Sequence, residues 1–148
     1  MIAIDGVLNS DEFAKHCLEE EGYDPFDWNT LDPRAILNLK QIVDETSANI
    51  ILSSSWRWDF IAFETVKHQL KTYGLEIYDT TILDVKKNLS RTDEIKLYLD
   101  EHPSIIKYVI LDDDEIKEPL KDHWVRCLFK NGLTKKLAGE AIKILKEK

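Results

Sequence analysis

Cysteine is nearly absent from this 148-residue chain: Cys17 and Cys127 stand far apart, with no partners at metal-ligand spacing. A disulfide framework and a zinc knuckle are both excluded on that ground, and a reducing, cytoplasmic setting is expected. Glycine and proline are scarce as well, at 5 and 4 residues, which excludes a fibre. No apolar run approaches the roughly 20 residues of a membrane span. No basic segment followed by an apolar stretch and a cleavage site opens the chain, so a soluble protein without membrane contact is expected. Positive charge is in short supply, with 20 Lys+Arg against 28 Asp+Glu and a formal net charge of −8. That field repels polyanions and argues against a general nucleic-acid coat. An anionic ligand would need imported positive charge, and a divalent metal among clustered carboxylates is the simplest source.

What remains is globular in composition, 43% hydrophobic and 32% charged. The length suits one core, since single domains cluster at about 100–150 residues. No repeat, linker or low-complexity tract divides it, so residues 1–148 read as a single domain. Short apolar runs alternate with segments of helical period, the pattern of a parallel sheet covered by helices. Met1 to Ile4 reads as a short first strand. Ser10 with Asp11-Glu12 opens a helix to about Glu21, and residues 22–31 form a turn-rich loop. A helix begins at Pro33 with Ile36, Leu39 and Val43 on one face. Asn49 to Leu52 is a buried strand, a helix runs from Trp58 or Asp59 to Tyr73, and Leu75 to Leu83 holds one short strand. Thr92 is expected to cap the next helix, carrying Ile95, Tyr98 and Leu99. Tyr108 to Leu111 and Trp124 to Leu128 are the remaining strands, and Gly132-Leu-Thr134 introduces a closing helix with Leu137, Ala141 and Leu145 inward. The fold class is therefore α/β: a Rossmann-like parallel sheet of about five strands, helices on both faces, and minimal cap.

In such sheets ligands bind beyond the carboxyl ends of the strands. Asp5-Gly6 follow the first strand and Ser53-Ser54-Ser55 the second. Lys86, Lys87 and Arg91 precede the helix at 93, and Asp112-Asp113-Asp114 follow the fourth strand. Three adjacent acids repel one another and raise their own pKa values, so a hard cation such as Mg²⁺ is the natural neutraliser. Hydroxyls and a fixed cation then suit a phosphoryl group.

Each residue also has a plainer reading. An acidic triplet after a strand is often only a solvated turn, but Asp5-Gly6 at a second strand end reverses those odds. Ser55 or a neighbour caps the following helix while Ser53 faces ligand. Arg57 reads as a structural ion-pair partner, and Lys86 and Lys87 as surface lysines by default. Phe26 and Trp28 could stack a nucleobase, though packing over the core is the better-supported use. His16, His68, His102 and His123 share no spacing and receive no role.

The segments Ile4-Asp5-Gly6-Val7-Leu8-Asn9, Ile51-Leu52-Ser53-Ser54-Ser55-Trp56-Arg57, Val109-Ile110-Leu111-Asp112-Asp113-Asp114 and Asn131-Gly132-Leu133-Thr134 occur in one order and spacing, each at an expected strand end. In that arrangement the chain resembles the haloacid dehalogenase (HAD) superfamily of phosphatases and phosphotransferases. More narrowly it is similar to the small HAD-type phosphatase domains of RNA-repair proteins. The resemblance implies that the first strand is central, flanked by the strands bearing the serines and the late aspartates. It implies Asp-x-Asp-Gly-Val as the first motif, with the first Asp attacking phosphorus and the second serving as general acid and then base. Asp5 matches the second, and Gly6 follows it at the substrate. Ser53, with Ser54 beside it, matches the hydroxyl that binds phosphoryl oxygens, and Arg91 or Lys87 supplies the cation. Asp112 and Asp113, with the backbone carbonyl of Asp5, match the Mg²⁺ site.

The first Asp of that motif falls on Ala3. A methyl group forms no aspartyl-phosphate and holds no metal. Three readings follow: an engineered Asp-to-Ala change, which is preferred because every other motif is kept; a natural pseudophosphatase; or a start-site artefact. The leading function is Mg²⁺-dependent hydrolysis of a phosphomonoester, on a small molecule such as a nucleotide or on a nucleic-acid end, with this chain inactivated at Ala3. The alternative class is a phosphate-binding or interaction domain without turnover. A response-regulator receiver would place its acidic pair after the first strand, not the fourth. Residues 22–31 are the one candidate lid, so an open mouth and a bulky substrate are expected, by fold-level analogy alone.

Overall fold

The computed structural model describes residues 6–53, 60–81 and 89–147. The expected strand Met1 to Ile4, with Ala3 and Asp5, lies outside the described residues. So do Ser54, Ser55, Arg57, Lys86 and Lys87.

Local signals set the element ends. The Ser10 hydroxyl accepts from Phe13 N at 3.2 Å and opens α1 (Asp11–His16), with Asp11 and Glu12 placing negative charge at its positive end. The helix widens into a π-helical turn, Cys17–Glu21, and stops at Gly22, whose φ of 75° favours glycine. The Asp32 carboxylate caps α2 (Pro33–Thr46) by accepting from Arg34 N at 3.0 Å. Ile36, Leu39 and Ile42 are buried on the core side of α2, with Val43 at the margin.

β1 (Ile50–Leu52) is buried throughout, as an apolar parallel strand covered on both faces must be. After α3 (Phe60–Thr72), which buries Val66 and Leu70, β2 (Ile77–Thr80) pairs with β1 in parallel. α4 (Arg91–Glu101) leads to β3 (Ile110–Asp112), and β4 (Trp124–Arg126) pairs with β3 in parallel, Asp112 opposite Arg126. α5 (Lys135–Lys146), capped by the Thr134 hydroxyl, closes the chain. Among the described residues the strands form two parallel pairs, β1–β2 and β3–β4. Four of the five expected strands are thus described.

Side chains alternate across β3, and the alternation places helices on both faces. Ile110 packs with Ile95 of α4, Ile116 and Leu120. Val109 and Leu111 join the larger core of Leu39, Leu52, Val66, Ala138 and Ala141.

Two details depart from expectation. Ser90, not Thr92, caps α4, its hydroxyl accepting from Asp93 N at 3.1 Å. Thr92 Oγ1 instead accepts from Lys117 N at 2.9 Å and ties the helix to the loop after β3. In α5 the buried face runs through Ala138 and Ala141, with Leu137 and Leu145 only partly covered. Small alanines let α5 lie close against α2, which leaves the leucines at the rim.

Candidate functional site

The carboxyl ends of β1 and β3 are the focus, because each strand hands the chain to a chemically distinctive residue. Asp112 is the last residue of β3 and is completely buried. Its backbone carbonyl accepts from Cys127 N and from Trp124 Nε1, each at 3.0 Å. Of its carboxylate oxygens, Oδ1 accepts from Asp114 N at 3.0 Å and Oδ2 from Arg91 Nη1 at 2.6 Å. Arg91 is the first residue of α4, its side chain mostly covered, and its Nη2 lies 3.9 Å from exposed Asp114.

This environment pulls the Asp112 carboxyl in opposite directions. Burial pushes it up, Arg91 and the Asp114 amide pull it down, and the charges of Asp114 and Asp113 push it up again. Burial wins and the group sits at about 6. Asp113 is raised for the same leading reason, with the Asp114 charge second. The buried Cys127 thiol is pushed up to about 12, by burial first and then by Asp112 and Asp113, so it stays an inert thiol.

The turn around Gly6 closes onto these acids. Gly6 has φ +78°, and a Cβ built there would stand 2.6 Å from both Cγ and Oδ2 of Asp113. Gly6 N donates to Asn9 Oδ1 at 2.9 Å. Beneath this turn, Leu133 N donates to the Val7 carbonyl at 2.8 Å, and a Cβ on Gly132 would stand 2.8 Å from that same oxygen. Asn38 Nδ2 holds the Leu133 carbonyl at 2.9 Å. The segment Asn131 to Thr134 is therefore the floor under residues 6–10.

At the end of β1, Ser53 is fully buried, and its Oγ has no hydrogen-bond partner among the described residues. An unsatisfied buried hydroxyl costs about 1–3 kcal/mol. A ligand oxygen arriving at this strand end would remove that cost.

Of the expected site residues, the fold brings Gly6, Arg91, Asp112 and Asp113 together and puts Ser53 at the carboxyl end of β1, a strand of the other pair. Ala3, Asp5, Ser54 and Lys87 lie outside the described residues. Among those described, no group of three or more His, Cys, Asp and Glu is gathered to hold a metal ion. Asp112 and Asp113 offer hard carboxylate oxygens of the kind Mg²⁺ takes, and the third expected contributor is Asp5. Sequence reasoning did not find Trp124 and Cys127 as supports of Asp112, because those bonds arise from the β3–β4 pairing. Asn9 could have been found: it closes the first quoted motif and caps Gly6. In the loop at 22–31, Phe26 stacks on Phe129 with centroids 5.9 Å apart. Trp28 corrects the packing expectation, being 71% exposed.

A cavity of about 500 Å³ lies at the opposite end of the strands, between Ala48, Asn49, Tyr78, His102 and Tyr108. Chemistry in parallel α/β sheets gathers instead at the carboxyl ends, where the paired arginine and acids stand.

Paired acids, a mostly covered arginine and a hydroxyl without a partner among the described residues mark the carboxyl ends of the parallel strands in an α/β domain. The family described as the HAD domain in Swiss Army Knife RNA repair proteins matches residues 1–138, and the chain belongs to that family. No curated protein and no solved structure matches it. No helix among the described residues is long and apolar enough to cross a membrane.

Proposed function

We propose that this chain is a HAD-type phosphatase domain acting on a phosphomonoester, with Mg²⁺ as cofactor and with its nucleophile position occupied by Ala3. The observation that carries this reading is the Arg91–Asp112 pair at 2.6 Å, beside Asp113 and Gly6 at the carboxyl end of β3. The resemblance to the family implies that Asp5, which lies outside the described residues, joins these acids. Asp112, Asp113 and the Asp5 carbonyl would hold Mg²⁺, which when bound supplies charge neutralisation to the transferring group.

The chain's own residues then divide the work. Ser53 Oγ and the Arg91 guanidinium hold phosphoryl oxygens, Lys87 being the other basic candidate, and Ser54 and Gly6 border the substrate. The Asp5 carboxyl gives its proton to the leaving oxygen and takes one from the attacking water afterwards. Position 3 should supply the carboxylate that attacks phosphorus, and Ala3 has none. The substrate is a phosphorylated small molecule or nucleic-acid end, and the family's link to RNA repair favours the latter. Two buried free cysteines accord with a cytoplasmic setting.

Restoring the nucleophile tests the reading. Ala3→Asp with MgCl₂ should hydrolyse p-nitrophenyl phosphate, and EDTA should abolish the activity. A folded Ala3→Asp protein that stays inert with Mg²⁺ refutes it. Ala3 itself favours a second reading, a pseudophosphatase that binds phosphate without turnover. That reading gains if the Ala3 chain binds phosphate while Ala3→Asp still fails to turn over.

A further inference from the structure

We propose that Arg91 is a built-in counter-ion for Asp112, released to a phosphoryl group only when a divalent cation takes over the Asp112 carboxylate, so that metal and phosphate bind cooperatively. The proposal rests on the phosphatase reading of the site and adds its order of assembly.

Asp112 can be satisfied in few ways. Its side chain is fully buried, and Oδ1 accepts from the Asp114 amide at 3.0 Å. Oδ2 is held by Arg91 Nη1 at 2.6 Å, inside the range of charge-assisted hydrogen bonds. Each oxygen keeps a second lone pair, so a metal ion can take Oδ2 itself or Oδ1 beside it, and on either it stands close to the guanidinium. Two cations against one buried carboxylate repel each other at low dielectric. Occupancy by one discourages the other.

The surroundings decide which partner moves. Three ties fix the start of α4: Ser90 Oγ to Asp93 N, Thr92 Oγ1 to Lys117 N, and Thr81 Oγ1 to the buried Glu94 carboxylate. Asp112 is anchored through its carbonyl to Trp124 and Cys127. The backbones on both sides are held, and the long Arg91 side chain is the part with rotational freedom. It stays 18% exposed, its other amino group 3.9 Å from solvent-facing Asp114. A guanidinium carries five donors in a planar fork that suits a phosphate. Paired with Asp112, it directs its shortest bond at the protein itself.

Positive coupling follows: metal on Asp112 frees Arg91 for phosphate, and phosphate drawing Arg91 away opens Asp112 to metal. The two effects must be equal by linkage.

Isothermal titration of the Ala3 chain, which has no nucleophile to turn substrate over, tests this with MgCl₂ and inorganic phosphate. Mg²⁺ should tighten phosphate binding roughly tenfold, a mid-range coupling. Asp112→Asn should bind phosphate without Mg²⁺ more tightly than the unaltered chain does. It should also exceed Asp113→Asn, which removes the same charge without freeing Arg91. Arg91→Gln should bind Mg²⁺ more tightly when phosphate is absent and lose most of the coupling. Phosphate and Mg²⁺ binding independently, or Arg91→Gln weakening Mg²⁺, would overturn the counter-ion role while leaving the phosphatase reading intact. Absence of binding by either ligand, joined to an inert Ala3→Asp, would remove both.

Discussion

Gly6 stands so close to Asp113 that one added methyl at position 6 would lie 2.6 Å from the Asp113 carboxyl carbon. The first motif and the late acidic pair, more than a hundred residues apart in the chain, thus meet without room for a side chain. Gly22 offers a natural comparison, with φ +75° against +78° but nothing within 4 Å of its would-be Cβ. Both Gly→Ala changes incur the left-handed backbone penalty of about 1–2 kcal/mol. Gly6→Ala must in addition displace Asp113. Urea denaturation should place Gly6→Ala below Gly22→Ala in stability, and only Gly6→Ala should weaken Mg²⁺ binding by titration. Equal Mg²⁺ affinity in the two variants would show that Asp113 is not needed where it stands.

Asp112 makes stability depend on pH in a definite direction. Its carboxyl titrates at about 6 in the fold against 3.8 when free, so folding disfavours the ionised form. Below pH 4 the group is protonated in both states and costs nothing. Between pH 4 and 6 the unfolded chain loses the proton first, and stability falls until the cost is constant above pH 6. At about 1.4 kcal/mol per pH unit, the loss approaches about 3 kcal/mol. Asp112→Asn carries no such dependence, and leaving Arg91 unpaired shifts its stability by an amount that does not vary with pH. Metal-free urea midpoints should show the Asn variant gaining on the unaltered chain from pH 4 to pH 6, then running parallel. A stability difference flat from pH 4 to 8 contradicts the assigned cost of burial.

Trp124 supports the same residue from below, through Nε1 to the Asp112 carbonyl at 3.0 Å. Trp124→Phe keeps a ring and removes the donor. The Cys127 amide still satisfies the carbonyl, so the loss should be that of one hydrogen bond, about 0.5–1.5 kcal/mol. Trp28→Phe is the control, since Trp28 is 71% exposed and surface changes usually stay within about 0.5 kcal/mol. A Trp28 effect as large as that of Trp124 would assign the loop at 22–31 a structural role that its exposure does not suggest.

The sequence carried the signals that act locally. Ser10, Pro33 and Thr134 mark helix starts because capping needs only residues within one turn, and the apolar runs at 50–52 and 108–111 mark parallel strands because sheet burial on both faces needs such runs. Arg91, Asp112 and Asp113 were nameable because they sit at or beside element ends, and Gly6 because it follows Asp5 in the first motif, where chain order alone indicates the site. What stayed hidden depends on distant pairing. Thr92 looks like a cap until Lys117, 25 residues on, is seen to use its hydroxyl. Ser53 could be placed at a strand end, but not shown to lack a partner there. Arg91 could be matched to a phosphate, but not seen to rest on Asp112.

Ser53 separates stability from function. Its hydroxyl is buried and without a hydrogen-bond partner among the described residues, which is the condition under which removing a polar group helps a fold. Ser53→Ala deletes the stranded oxygen and leaves a methyl, which needs no hydrogen-bond partner. The variant should be as stable as the unaltered chain or up to about 1–2 kcal/mol more stable, the reverse of the usual outcome for a fully buried position. If the stranded oxygen serves a phosphoryl group, the same change should weaken inorganic phosphate binding about tenfold, the worth of one hydrogen bond to a charged group. Paired denaturation and titration curves decide the matter. A stabilised Ser53→Ala with unchanged phosphate affinity would mean that the hydroxyl faces no ligand. A destabilised variant would mean that it is already bonded within the fold.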